Sequence, residues 1–270
     1  MSVTFPSFPE VAPGHPQIGH LTWSGVDGTV APANVVAAAA DCEVPVELGV
    51  QISASRAGRE GYPTFKRVDA ILSAVAARKK STVWVALHVN GRLAREFFEG
   101  HQEPRLHNWL NELKVRRVQL NVDAQRDLDV AAVESHAAAL RSAQAKPILQ
   151  ARDGNWAWLE ALDGLEARFD VLHDQSLGNG VMPERWHGAY KERSTGYAGG
   201  LAPETFACAI PLIAAAHGGQ DDIWIDAQNG LRDATSERET AFSVRRARAL
   251  ATQVADWNAR AANPPLPPET

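Results

Sequence analysis

Acidic, amide and imidazole side chains recur at regular intervals along this 270-residue chain. Gln51 and Ser53, His88 and Asn90, Gln119, Asn121 and Asp123, Gln150 and Arg152, His173 and Asp174, and Asp226, Gln228 and Asn229 each close a short apolar or β-branched run. Carboxylates and imidazoles move protons near neutral pH, whereas amides hold hydroxyls and fix orientation. So many runs ending on polar residues point to a lined polar pocket. Two glycine segments add a second chemistry. Gly199-Gly200 stands just ahead of a helical stretch, and Asp226-Ala227-Gln228-Asn229-Gly230 closes a later run. Glycine lets backbone N–H groups approach an anion, and a helix N-terminus adds partial positive charge. Gly199, Gly200, Gln228, Asn229 and Gly230 therefore read as a phosphate cradle.

Such residues need a scaffold that gathers the ends of distant segments. Runs at 18–25, 44–53, 82–90, 117–123, 147–152, 169–174, 196–200 and 222–227 predict eight strands. Helical spacing fills stretches between them, as at 65–78, 129–144, 203–217 and 237–258, and 91–113 reads as two helical pieces divided near Pro104. About eight β–α pairs in strict alternation, without a hairpin signal, predict a parallel sheet wrapped by helices. No G-x-G-x-x-G follows the first strand, so an open dinucleotide-binding sheet is disfavoured. The predicted fold class is α/β, a single (β/α)8 TIM barrel with eight parallel strands, for which about 250 residues is the usual length. Chemistry in that fold sits at the C-terminal strand ends, with phosphate held after strands seven and eight. Prolines mark both ends, giving an arm at 1–16, a barrel at 17–258 and a Pro-rich tail at 259–270.

Composition narrows the partners. A net charge of −5 argues against nucleic acid. The longest apolar run, 206–216, is far short of the ~18 residues of a membrane span, and the N-terminus has no secretory pattern. With only Cys42 and Cys208, a cytoplasmic protein without a disulfide framework is expected. No motif calls for a cofactor or a metal. The expected partner is a small phosphorylated metabolite, and a homodimer stays open because an apolar helix face reads the same against a second subunit.

The C-terminal third resembles phosphoribosylanthranilate isomerase. A-G-G-L-A-P-E at 198–204 is similar to that family's phosphate loop, and I-D-A-Q-N-G-L-R at 225–232 matches the frame of its strand-eight segment. The stretch 171–186, V-L-H-D-Q-S-L-G-N-G-V-M-P-E-R-W, resembles its strand-six region. Fainter likenesses are A-L-H-V-N-G at 86–91, R-V-Q-L-N at 117–121, and Arg59 four residues before Pro63. The resemblance implies aldose–ketose (Amadori-type) isomerisation of a phosphorylated sugar-type ligand by general acid–base catalysis. By position, Asp174 would be the acid, Arg59 would orient the substrate, Asn121 and Asp226 would contact it, and the glycine segments would hold phosphate.

The chain departs from the family in its base. Ser24 stands where the family carries a strand-one cysteine, and a serine hydroxyl is far less acidic than a thiol. His88 and His173 are then the candidate proton carriers, His173 also lying among the substrate-contact positions. Two other readings remain: a barrel that binds a phosphorylated ligand without turnover, and a metal-dependent epimerase using His20, His88, His173, Asp174 and Asp226. A Schiff-base aldolase would need a lysine inside the barrel, and the lysines fall in helices, turns or a strand's entry end.

Overall fold

The computed structural model describes residues 15–262, apart from 79–81, 102, 113, 177–178, 220 and 238. Most of the arm at 1–16, the end of the tail and two residues of the 171–186 motif therefore lie outside the described residues. Eight short apolar runs form strands β1 (Ile18–Ser24), β2 (Val46–Ile52), β3 (Trp84–Asn90), β4 (Val115–Asn121), β5 (Lys146–Ala151), β6 (Asp170–Asp174), β7 (Thr195–Ala198) and β8 (Ile223–Ala227). They pair in parallel in chain order, and β1 closes onto β8. The chain is a closed (β/α)8 barrel.

Helices α1 (Pro32–Ala40), α2 (Phe65–Ala77), α3 (Arg92–Phe98), α4 (Pro104–Leu110), α5 (Ala124–Asp127), α6 (Val133–Ser142), α7 (Trp156–Gly164), α8 (Phe206–His217) and α9 (Val244–Ala262) wrap it. Local sequence sets several starts. Pro32 and Pro104 open their helices with a preset φ, and Thr64 accepts the Arg67 N–H at the head of α2. The outward residues of the strands, such as Leu48, Val50, Leu87, Val89 and Leu120, are fully buried against these helices. Each such side chain contributes about 1.5–3 kcal/mol through burial. The barrel is sealed at its ends by α9, whose Asn258 bonds both the N–H and the carbonyl of Ile18 while Trp257 Nε1 donates to Pro16 O. Among the described residues, no helix is long and apolar enough to cross a membrane.

Strict alternation fails in two places. The described residues of 175–194, between β6 and β7, hold no helix; Gly180, Pro183 and Gly188 break the spacing, and buried Trp186 and Tyr190 anchor the segment to the barrel instead. After β8 comes an antiparallel hairpin of β9 (Arg232–Ala234) and β10 (Thr240–Phe242), whose second strand occupies residues that the spacing assigned to the last helix. That helix in turn continues to Ala262, inside the stretch read as tail.

Parallel barrels are usually filled by branched apolar side chains. This one is not. Its register stacks the inward residues of alternate strands in layers. From the C-terminal mouth downward these are Gln51, Asn121, Asp174 and Gln228; then Ser24, His88, Gln150 and Ala198; then Gly49, Gln119, Leu172 and Asp226. Farther down, Glu47 receives two bonds from Arg117 and one each from Trp84 Nε1 and Thr22 Oγ1. Burial pushes the Glu47 carboxyl up, but the charge and hydrogen bonds of Arg117 outweigh it and hold the group at about 2. A buried ion pair so fully bonded closes the N-terminal end of the barrel.

Candidate active site

The polar upper layers leave a cavity of about 490 Å³ at the C-terminal mouth. Asp226 lies at its floor. Ser24 Oγ, outside the lining, donates a 2.5 Å bond to Asp226 Oδ1. Burial drives the Asp226 carboxyl up to about 7; the Ser24 bond opposes this, and the negative charges of Asp174 and Glu47 reinforce it. Asp226 thus holds a proton near neutral pH. Asp174, also in the wall, accepts Gln150 Nε2 on Oδ2 and both the N–H and hydroxyl of Ser176 on Oδ1. A carboxylate accepts all three without a proton of its own.

Between these acids runs a belt of carboxamides. Gln119 Nε2 donates to Asn121 Oδ1, Asn121 Nδ2 to Asn90 Oδ1, Asn90 Nδ2 to Gln51 Oε1, and Gln51 Nε2 to Gln228 Oε1. All five residues line the cavity. Gly49 is required at its place in β2, because a Cβ there would collide with Ser24 Oγ and lie 2.9 Å from His88 Cε1. His88 is fully buried and its pKa falls to about 4, mainly through burial, with Arg117 adding to the fall and Glu47 opposing it. Its imidazole is therefore neutral near pH 7.

Gly199 and Gly200, both at positive φ, line the wall with Asn229 and Gly230. Gly200 has no room for a side chain, since a Cβ would meet Met182 N at 2.5 Å. The short turn Asn229–Leu231 follows β8 beside them. At the rim stand Arg56, whose Nη1 donates to the Tyr62 hydroxyl at 3.1 Å, Arg126 on α5, and Arg152, which is paired with Asp123 at 3.0 Å.

The structure thus gathers Asp174, His88, Asn121, Asp226, Gly199, Gly200, Gln228, Asn229 and Gly230 around one cavity, with Ser24 bonded to Asp226 behind the lining. Two expected residues fall elsewhere. Arg59 is exposed and does not line the cavity; the turns at Arg56–Arg59 and Arg59–Tyr62 bring Arg56 and Tyr62 to the rim instead. His173 faces outward, its Nε2 donating to Gly188 O while the ring packs against Trp156, His187 and Tyr197. Cys42 and Cys208 also lie off the cavity lining. Arg56, Tyr62, Arg126 and Asn179 escaped the sequence reading because they sit in loops and a single-turn helix without periodic pattern. Among the described residues, no three His, Cys, Asp or Glu side chains form a group that could hold a metal ion.

No protein-family model matches the chain, and no curated protein matches it in sequence. Solved structures do match. One is phosphoribosyl anthranilate isomerase in complex with reduced 1-(o-carboxyphenylamino)-1-deoxyribulose 5-phosphate, at TM-score 0.52 and 12% identity over 88% of this chain and 100% of that one. A second is the Thermotoga maritima phosphoribosylanthranilate isomerase, at 0.51 and 12% over 89% and 100%. A third is phospho-2-dehydro-3-deoxyheptonate aldolase from the same organism, at 0.52 and 10% over 91% and 70%. The likeness is one of fold.

Proposed function

We propose that the chain binds a small phosphorylated sugar-type ligand at the barrel mouth and isomerises it from aldose to ketose by general acid–base catalysis. The observation that carries this reading is the pair of unlike carboxyl groups in one polar cavity: Asp226, buried with a single serine donor and its carboxyl pushed up to about 7, and Asp174, with three donors on its oxygens. Carboxyl groups whose surroundings separate their protonation divide acid and base roles. Support also comes from the solved isomerase whose complex holds a deoxyribulose 5-phosphate derivative.

The roles divide differently from those implied by the resemblance. Asp226 acts as the acid and protonates the ring oxygen, so the C1–O bond opens with its electron pair on oxygen while the lone pair of the anomeric nitrogen, or of the anomeric oxygen as its own proton leaves, forms a C1=N or C1=O bond. Asp174 acts as the base and takes the C2 proton; the electrons of that C–H bond form C1=C2 and the former π pair at C1 returns to the nitrogen or oxygen, leaving an enaminol or, with a proton from water, an enediol. Ketonisation completes the isomerisation with no net change in oxidation state. Ser24 supports Asp226 instead of acting as the base. The amide belt receives ligand hydroxyls, while backbone amides around Gly199, Gly200, Asn229 and Gly230 take the phosphate.

Turnover of N-(5-phosphoribosyl)anthranilate and of simple aldose phosphates, followed by proton NMR, tests the reading. Asp226→Asn and Asp174→Asn should each lower turnover by about 10²–10⁴-fold with ligand binding retained. A folded wild-type chain that binds these ligands and converts none of them contradicts it.

A further inference from the structure

The cavity meets a ligand with hydrogen-bonding groups on almost every side. The backbone orients the carboxamide belt: Asn90 Nδ2 donates to two main-chain carbonyls, His88 O at 2.7 Å and Ile52 O at 3.4 Å, which can only accept. Asn90 Oδ1 is thereby left to take Asn121 Nδ2 at 3.0 Å. A carboxamide carries two N–H donors and an oxygen with two lone pairs, so the belt keeps capacity in hand. Asn121 Nδ2 gives one of its N–H groups to the belt, and Gln228 Nε2, at the belt's end, donates to no described residue. Both side chains belong to partly exposed residues of the lining, where a ligand can reach them.

Apolar surface is scarce by comparison. The described lining has Val122, Ala198, Leu201 and Ala227 as its wholly apolar side chains, and all four residues are buried. Its rings offer no open platform: His88 is buried, and the Arg56 guanidinium lies over the Tyr62 ring, 5.3 Å from its centre. Pockets for flat apolar groups are lined mainly by hydrophobic and aromatic side chains. A second acidic group on the ligand fares no better on one side of the rim, where Arg126 is bonded to Asp127 and Arg152 to Asp123, and both carboxylates also line the cavity.

We propose that the ligand is a free aldose phosphate with a hydroxyl at its anomeric carbon, and that the site selects against an arylamine there. Hydroxyls both donate and accept, as the amides require, whereas an aryl ring would strip water from the amides and return no bonds. The inference deepens the proposed function and rests on its placing of a sugar phosphate in this cavity.

Calorimetric titration of the full chain at neutral pH tests it with three ligands that share a phosphate: ribose 5-phosphate, glucose 6-phosphate and reduced 1-(o-carboxyphenylamino)-1-deoxyribulose 5-phosphate. At least one of the aldose phosphates should bind about 10²-fold tighter than the arylamine. Asn121→Leu, which exchanges an amide for apolar surface, should weaken that aldose phosphate about 10-fold in a variant that still melts cooperatively. Equal or tighter binding of the arylamine to wild type, or no binding of either aldose phosphate at millimolar concentration, overturns the proposal. So does a folded Asn121→Leu variant that binds the aldose phosphate as wild type does. Binding is read apart from turnover: a chain that prefers aldose phosphates yet converts none refutes the isomerase reading and leaves the ligand class standing.

Discussion

Ser24 Oγ donates to Asp226 Oδ1 across 202 residues of sequence, at 2.5 Å and out of solvent. The bond joins β1 to β8 inside the barrel, where the strands themselves pair. The hydroxyl supports a buried acid that stands on β8, separated from Asp174 on β6 by the single strand β7.

That burial has a consequence for stability. Asp226 titrates at about 7 in the folded protein against an ordinary value of 3.8. The native state keeps a proton that the unfolded chain has lost, so this group's contribution is fully present below about pH 4 and is lost as pH rises through 7. Melting temperature of wild type should fall between pH 5 and pH 8 more than that of Asp226→Asn. Parallel curves for the two proteins would contradict the shift.

The ion pair at the other end of the barrel responds to acid instead. Glu47 is held at about 2 against an ordinary 4.5, so its contribution is present above about 4.5 and is lost as pH falls through 2. Glu47→Gln leaves buried Arg117 with only the longer 3.7 Å contact to Asp170 as a charge partner and should cost about 3–5 kcal/mol in urea unfolding at neutral pH. Replacing both by apolar residues should cost less than the single change. A near-neutral Glu47→Gln would show that the pair is solvated.

Gly49 tests the crowding over β2. Gly49→Ala forces a methyl into the space of Ser24 Oγ and His88 and should cost about 1–3 kcal/mol, the usual penalty of overpacking. Adding Ser24→Ala removes the colliding oxygen and should recover part of that loss. No recovery in the double variant would place the strain elsewhere.

Millimolar inorganic phosphate should raise the melting temperature if the glycine segments hold an anion, since any ligand of the native state stabilises it. Gly199→Asp, a negative side chain at φ +114°, should abolish that increment. An increment of unchanged size would move the anion to another part of the mouth, such as the arginines at the rim.

The eight strands were legible because β-branched runs of the right length recur between helical stretches, and every one of those runs lies in the closed sheet. The same periodicity could not reveal that 175–194 stays irregular, since Trp186 and Tyr190 anchor it through packing across the barrel. His173 and Asp174 illustrate a rule that sequence does contain. Successive strand residues face opposite sides, so only one of the two can enter the cavity. Arg56 and Arg59 differ by one turn of a loop, and nothing in their spacing tells which side faces the rim. The partner of Ser24 was hidden for a different reason: it depends on barrel closure, which brings β1 beside β8.

The most direct test of the acid–base account is isomerisation in heavy water. Wild type given N-(5-phosphoribosyl)anthranilate or an aldose phosphate should form the ketose, with deuterium entering from solvent at the carbon that receives a proton or washing into recovered substrate at C2. Both signals should fall by about 10²-fold or more in Asp226→Asn and Asp174→Asn. Wild-type protein that binds ligand yet gives neither ketose nor deuterium at C2, or an Asp226→Asn variant as active as wild type, would contradict the account.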